Sequence, residues 1–417
     1  MDTTSQGPNP GLSDMETATR PEADPAAFSF AYFKARAEEL VPLVMAEADE
    51  AEQLRHMIDT VVRAFQETGL YRMLMPRELG GAELSLPEAM QVVETISHAD
   101  GSTGWCLMVG NIQSASGGAF LSDAGVVRVF ADGPDVMIAG QGIPRGFAHR
   151  VDGGYQIHGD WSYGSGIYHA EYIHTGCVLM QGDAPVMHAD GMPEVLICYV
   201  PREQIQLKDN WDVLGLRGTG SFDYSIADLF VPEEMTHSIA IREPHRGGNQ
   251  YTLGLTGYTA WGHTTFALGV GRRALDEIAE LARSKENVFG RLCDGASFRE
   301  SYARNEAMYR SVRAFCYSVW DDLSDTLGRD EPASLEQIAL IRLAMRYLHE
   351  VVSDVCTFAY KAGAGASLRG GALQRCYRDI HAGTQHILLS DQIVQDCGKV
   401  LMGAASENAT WTILGLR

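Results

Sequence analysis

The feature that most limits what this chain can become is a change of hydrophobic period along it. From about Pro25 to Phe130, apolar residues recur at helical spacing. Phe28, Phe33 and Ala37 open one face, and Val61, Val62, Phe65 and Leu70 continue one further on. From about Pro134 to Pro232 the period drops to two. There V-M-I-A-G, Y-Q-I-H-G-D-W-S-Y, Y-I-H-T-G-C-V-L-M, V-L-I-C-Y-V and F-D-Y-S-I-A-D-L-F-V read as strands. After a polar linker the helical period returns in four long blocks, about residues 256–284, 297–327, 334–362 and 372–401. Ser334 with Gln337 makes a capping-box signature, while Gly328 and residues 363–371 interrupt the pattern. The expected fold is therefore α+β. A disordered tail (1–25) precedes an N-terminal helical domain (26–133), a central antiparallel β-barrel or β-sandwich (134–236), a linker (237–252) and a C-terminal four-helix bundle (253–417).

Charge narrows the functional classes. The net charge of −21 over 417 residues opposes binding to nucleic acid or an anionic membrane. The eight cysteines include no C-x-x-C pair and no set with zinc-ligand spacing, so no metal site is expected. With no secretory leader pattern and no long uncharged apolar run, the chain reads as cytoplasmic. Gly140-Gln141-Gly142 with Gly146 is one residue too long for a dinucleotide fingerprint, and Gly363-Ala364-Gly365 follows a helix rather than a strand. No nicotinamide-binding domain is expected, so reducing equivalents taken from NAD(P)H would have to be collected by another protein.

Five segments carry more specific signals. In residues 67–89, Gly69 is a helix stop, Pro76 a break, Gly80-Gly81 a turn, and Ser85 caps a helix with Pro87 in its first turn. A-D-G-S-T-G-W ends at Trp105. W-S-Y-G-S-G, Trp161 to Gly166, is a Gly/Ser turn that a β-domain could hold for structure alone. In W-D-V-L-G-L-R-G-T-G-S, Trp211 to Ser221, three glycines permit a tight excursion that Arg217 can anchor. Residues 372–387, A-L-Q-R-C-Y-R-D-I-H-A-G-T-Q-H-I, place Arg375 and Asp379 on one face of what reads as a single long helix, with His381 and His386 nearby.

Together these segments resemble the acyl-CoA dehydrogenase superfamily over about residues 28–405. The W-x-x-x-G-x-R-G-T-G-S loop and W-x-x-x-S-G resemble its flavin-dependent, two-component (group D) monooxygenase branch. That branch includes the oxygenase components of p-hydroxyphenylacetate hydroxylase and of secosteroid phenol monooxygenase. Where dehydrogenases with a base on the last helix carry Glu, this chain reads Gln385-His386-Ile387.

The resemblance implies an oxygenase component that receives reduced FMN or FAD from a separate NAD(P)H:flavin reductase. With O2 it would form a C4a-hydroperoxyflavin and oxygenate a small aromatic or heteroaromatic molecule. Ser165 (with Ser162 second) would stabilise the adduct, and His386 would shuttle a proton from a pKa in the neutral range. Trp105, Gly140, Gln141, Gly142, Tyr163, Gly164, Ser165, Arg283, Ala364, Gly365, Gln385 and His386 would contact cofactor. Gln113 stands where several relatives carry a histidine and would contact substrate. A homotetramer is also implied. Two other readings stay open: an FAD dehydrogenase or oxidase acting on an acyl thioester, and a flavin-free scaffold.

Overall fold

The early helices form where the sequence supplies apolar faces, most of them opened by a capping side chain. A computed structural model describes residues 28–188, 191–288 and 290–417; the expected tail, 1–25, lies outside them. α1 (Phe30–Leu54) starts where Ser29 accepts the Tyr32 N–H, and it buries Phe33, Ala37, Val44, Ala48 and Ala51. α2 (Asp59–Glu67) buries Val61, Val62 and Phe65 before Gly69 turns the chain at φ 71°. α3 (Leu86–Ala99) opens on a capping box between Ser85 and Glu88. α4 (Gly101–Phe120) is capped by Asp100, whose carboxylate accepts from Thr103 N at 2.8 Å, and it is buried almost all round. α5 (Asp123–Val129) ends this region.

β1 (Ile138–Val151), β2 (Gly154–Gly164), β3 (Tyr172–Gln181), β4 (Ala184–Pro185), β5 (Val195–Pro201), β6 (Gln206–Lys208), β7 (Phe222–Pro232) and β8 (Thr236–Ser238) form one sheet. The order is β6-β7-β2-β1-β3-β5-β8, with β4 folded back on β3. Pairing is antiparallel except between β1 and β3, which run parallel. β3 reaches the far side of β1 because residues 165–171 cross the sheet end instead of making a hairpin with β2. That crossing carries Ser165.

α6 (Gly254–Ser284), a short β9–β10 pair (Glu286–Asn287, Gly290–Arg291), α7 (Ala296–Gly328) and α8 (Leu335–Gly363) follow. The single helix expected over 372–401 is instead two, α9 (Ala372–Gly383) and α10 (Asp391–Leu401). Thr384 Oγ1 donates back to the His381 carbonyl at 2.7 Å, and His386 turns extended at ψ 139°. A side chain competing for the helical ladder favours such a break. The chain ends in a small hairpin, β11 (Trp411–Thr412) and β12 (Gly415–Leu416), tied to α8 by Arg342 donating to the Thr412 and Ile413 carbonyls.

The N-terminal helices and the bundle share one apolar core, in which Val92, Val93 and Ile96 of α3 pack with Phe266 and Val270 of α6 and Val352 of α8. The β-domain has its own. No helix among the described residues is long and apolar enough to cross a membrane.

Candidate active site

The site forms where α4, the β2–β3 crossing and the α9–α10 break meet. Trp105, buried on α4, donates from Nε1 to Ser165 Oγ at 3.0 Å. Ser165 Oγ lies 2.7 Å from Ser221 Oγ, which lies 2.7 Å from Thr219 Oγ1, which donates to the Leu216 carbonyl at 2.8 Å. One proton per hydroxyl fixes the direction of this chain. The Thr219 proton goes to the carbonyl, so Ser221 donates to Thr219 and Ser165 donates to Ser221. Ser165 thus has its proton engaged and keeps one free lone pair.

On the other side of Trp105 stand three histidines, His263 and His349 buried and His386 half-buried. His263 of α6 lies edge-on to the indole at 4.7 Å between ring centres, and His386 lies 6.3 Å from it. His263 and His386 are 4.1 Å apart, with His349 of α8 at 6.1 Å from His263 and Phe266 closing the wall at 5.0 Å from Trp105. Burial pushes His386 and His349 down to about 4, and His263 well below its usual value. The neutral-range pKa expected for His386 is therefore not met, because desolvation disfavours the imidazolium and no carboxylate offsets it. His349 Nδ1 sits 2.8 Å from the Met345 carbonyl and must carry its proton there, while His386 Nδ1 accepts from Leu388 N–H at 3.4 Å. His349 Nε2 and His263 Nδ1 find no partner.

Behind this wall, charges hold the Trp211–Ser221 loop onto α9. Arg375 and Asp379 share a helix face, yet each is committed elsewhere. Arg375 pairs with Asp49 at 2.5 Å and Asp100 at 3.3 Å, whereas Asp379 accepts from Leu216 N–H at 2.6 Å. Burial, reinforced by the Asp100 charge, pushes Asp379 up to about 7. Gly215 lies so close to α9 that a Cβ there would stand 2.1 Å from the Arg378 carbonyl oxygen. Arg217 donates to the Val213 carbonyl at 2.8 Å and pairs with Asp212, so it anchors its own loop.

The structure brings Trp105, Ser165 and His386 together and spreads the other expected residues out. Gln113, two turns further along α4, donates to the Gly140 carbonyl at 3.2 Å and leaves Oε1 unpartnered. Gln141 N–H donates to Tyr224 OH, and Gly142 faces His174. Tyr163 is 64% exposed, its ring edge-on to Trp211; Gly164 packs against Ile167. Gln385 is exposed, and its side chain donates to Thr384 Oγ1. Arg283 is exposed and paired with Glu280, and Lys285 bonds the Gly363 carbonyl beside Ala364 and Gly365. Arg283 lies twenty residues along α6 from His263, roughly 30 Å by helical rise. Within one chain, this far end of the bundle does not join the Trp105 cluster.

Sequence reasoning missed His263, His349, Phe266 and the Ser221 link. A histidine within an apolar helical stripe was the only available signal for the first two. The residues present suit a flavin: an aromatic wall, a hydroxyl with a free lone pair, and unpartnered polar atoms on Gln113 and His263.

Residues 32–120 match the acyl-CoA dehydrogenase N-terminal domain and residues 261–391 the acyl-CoA dehydrogenase C-terminal domain. The chain is 30% identical over 361 residues to indole-3-acetate monooxygenase of Pseudomonas putida, covering 86% of this chain and 90% of that one. It is 28% identical over 375 residues to the flavin-dependent monooxygenase oxygenase subunit HsaA of Rhodococcus jostii, covering 84% and 93%. Its fold matches XiaF from Streptomyces sp., solved in complex with FADH2 and glycerol, with a TM-score of 0.79 at 24% identity over 91% of this chain and 97% of that one.

Proposed function

This chain belongs to the acyl-CoA dehydrogenase family, in its flavin-dependent monooxygenase branch, and from that premise we propose that it is the oxygenase component of a two-component flavin monooxygenase. Its substrate is a small aromatic or heteroaromatic molecule. A separate NAD(P)H:flavin reductase delivers reduced FMN or FAD, as the oxygenase-subunit name of the Rhodococcus relative supports. The working compartment is the cytoplasm.

The observation that carries this reading is the one-way hydroxyl chain through Ser165. When bound, reduced flavin activates O2 for transfer to an electron-rich ring. The protein's own residues supply the setting. Trp105 and Phe266 exclude water from the site. Ser165 Oγ, its proton given to Ser221 at 2.7 Å, offers a lone pair to an N–H donor. Reduced flavin has such a donor at N5; the oxidised ring does not. His386, uncharged at neutral pH because burial holds it near 4, keeps a proton on Nε2 with which it can donate a hydrogen bond while remaining neutral. Arg283, Ala364 and Gly365 serve the cofactor of a neighbouring subunit in a homotetramer, which fits their distance from Trp105.

The test is anaerobic equilibrium binding of reduced and oxidised FMN and FAD, followed by oxygen. Wild type should bind the reduced forms at least about tenfold more tightly, the worth of one good hydrogen bond in a dry site. Ser165→Ala should erase that preference and divert reduced flavin to hydrogen peroxide instead of oxygenated product. Equal binding of both redox forms by wild type would sink the proposal. Light scattering should give four times the chain mass; a monomer would remove the shared-site reading of Arg283.

A further inference from the structure

The histidine cluster beside Trp105 holds a fixed number of protons, and their placement assigns roles beyond His386. Burial keeps all three rings neutral at ordinary pH, so each carries one proton. His349 has committed its own to the Met345 carbonyl, 2.8 Å from Nδ1. Its Nε2 is therefore a lone pair, in a residue with no exposed surface. His386 is the reverse case. Its Nδ1 accepts from Leu388 N–H at 3.4 Å, so its proton sits on Nε2.

His263 touches both, and its surroundings choose its tautomer. Trp105 has given its N–H to Ser165 at 3.0 Å, and Phe266 is apolar. The sealed ring nitrogens of the cluster that lack a partner are His263 Nδ1 and His349 Nε2. A buried acceptor left unmet is costly, and a second lone pair beside it adds to the cost. With its proton on Nδ1, His263 supplies the donor that His349 lacks.

Ring spacing agrees. An in-plane N–H···N bond between two imidazoles sets their centres roughly 5.2 Å apart, the bond length plus two ring radii. His263 and His386, at 4.1 Å and 45° between planes, are too close for such a bond and stack instead. His263 and His349, at 6.1 Å, stand within about 1 Å of it. Hydrogen bonds at catalytic sites are often long before the ligand arrives and tighten with it. His263 Nε2 is then a lone pair, spared by both neighbouring histidines, on a ring that lies against Trp105. The wall of the site thus carries one donor, His386 Nε2–H, and one acceptor.

We propose that His349 is a positioning residue that holds His263 in its Nδ1–H tautomer, so that His263 Nε2 accepts a hydrogen bond from the bound aromatic molecule. This rests on the monooxygenase reading above and adds a specificity-determining residue to the same site.

The experiment has two readouts. Solid-state nitrogen NMR on protein labelled at the histidine ring nitrogens, with His263→Phe to assign the signals, should find the His263 proton on Nδ1. In His349→Leu it should move to Nε2. In His349→Gln, whose amide can give an N–H to Met345 and an oxygen to His263, it should stay. Anaerobic calorimetry with reduced FMN present then compares indole with benzofuran, which shares its shape and lacks its N–H. Wild type and His349→Gln should bind indole at least about tenfold more tightly, the worth of one good hydrogen bond in a dry site. His349→Leu should lose that preference while its affinity for reduced FMN holds. A wild-type His263 protonated on Nε2 overturns the proposal without any variant. So does an indole preference that survives in His349→Leu. Loss of reduced-FMN affinity in that variant would make His349 merely structural and overturn it as well. Preference for reduced flavin and oxygenated product, with indole and benzofuran bound alike, would leave the monooxygenase reading standing and this one refuted. An indole preference that depends on His349, in a protein that never oxygenates, would do the reverse.

Discussion

At the scale of single residues, the site joins groups that sequence could rank with groups it could not. Ser165 and Trp105 were legible because their signals are local: a Gly/Ser turn after a strand, and a tryptophan closing a helix start. His263 and His349 were not, since among Leu268, Met345 and Leu348 a histidine reads as core until the packing of α4, α6 and α8 sets its neighbours. Asp379 carries a prediction of its own. Its folded pKa is raised to about 7 from the usual 3.8. A raised carboxyl gives its full stabilisation below the unfolded value and loses it as pH climbs through the folded one. Asp379→Asn keeps an oxygen for the Leu216 N–H but cannot titrate. The stability gap between wild type and variant should therefore narrow as pH rises from about 4 to about 7 in urea titrations, then level off. A gap that stays flat over that interval would mean the carboxylate is charged and firmly paired.

At the scale of elements, the last long helix was read correctly in register but not in continuity. The Ala372–Gly383 segment has the expected period, and α10 resumes it; the break needed Thr384 and His386 to be recognised as backbone competitors. The loop over α9 makes the sharper prediction. Gly215→Ala would drive a Cβ to 2.1 Å from a helix carbonyl, so the loop or α9 must shift. The loss should be about 2 kcal/mol or more by thermal or urea unfolding, with Thr219 and Ser221 displaced from Ser165 and the reduced-flavin preference lowered as well. A neutral result would mean the loop floats free of α9. Ser334→Ala, which only opens a capping box, should cost about 1 kcal/mol and leave flavin binding untouched.

At the scale of the whole molecule, histidine burial sets an acid limit. His174, His237, His349 and His386 are held at about 3 to 4, against the usual 6.5. A histidine with a lowered folded pKa stabilises fully above its unfolded value and less and less as pH falls toward the folded one. Stability should therefore decline from about pH 6.5 downward, before most carboxylates titrate; a flat urea midpoint between pH 7 and 5 would contradict the burial. The order of helical, strand and helical blocks was legible because period alone reports it. The fusion of the first and last blocks into one core was not, because no local pattern says which apolar faces meet. That fusion has a consequence for how the chain is made. Helices α1 to α4 leave the ribosome with the faces of Val92, Val93 and Ile96 open, and their partners on α6 and α8 lie some 170 to 260 residues further on. At ordinary elongation rates of about 5 to 20 residues per second that is roughly ten seconds to a minute of waiting. The intervening β-domain, with a core of its own, can close meanwhile. The newborn chain is then a finished sheet trailing an unfinished helical half, the stage at which a chaperone has most to hold.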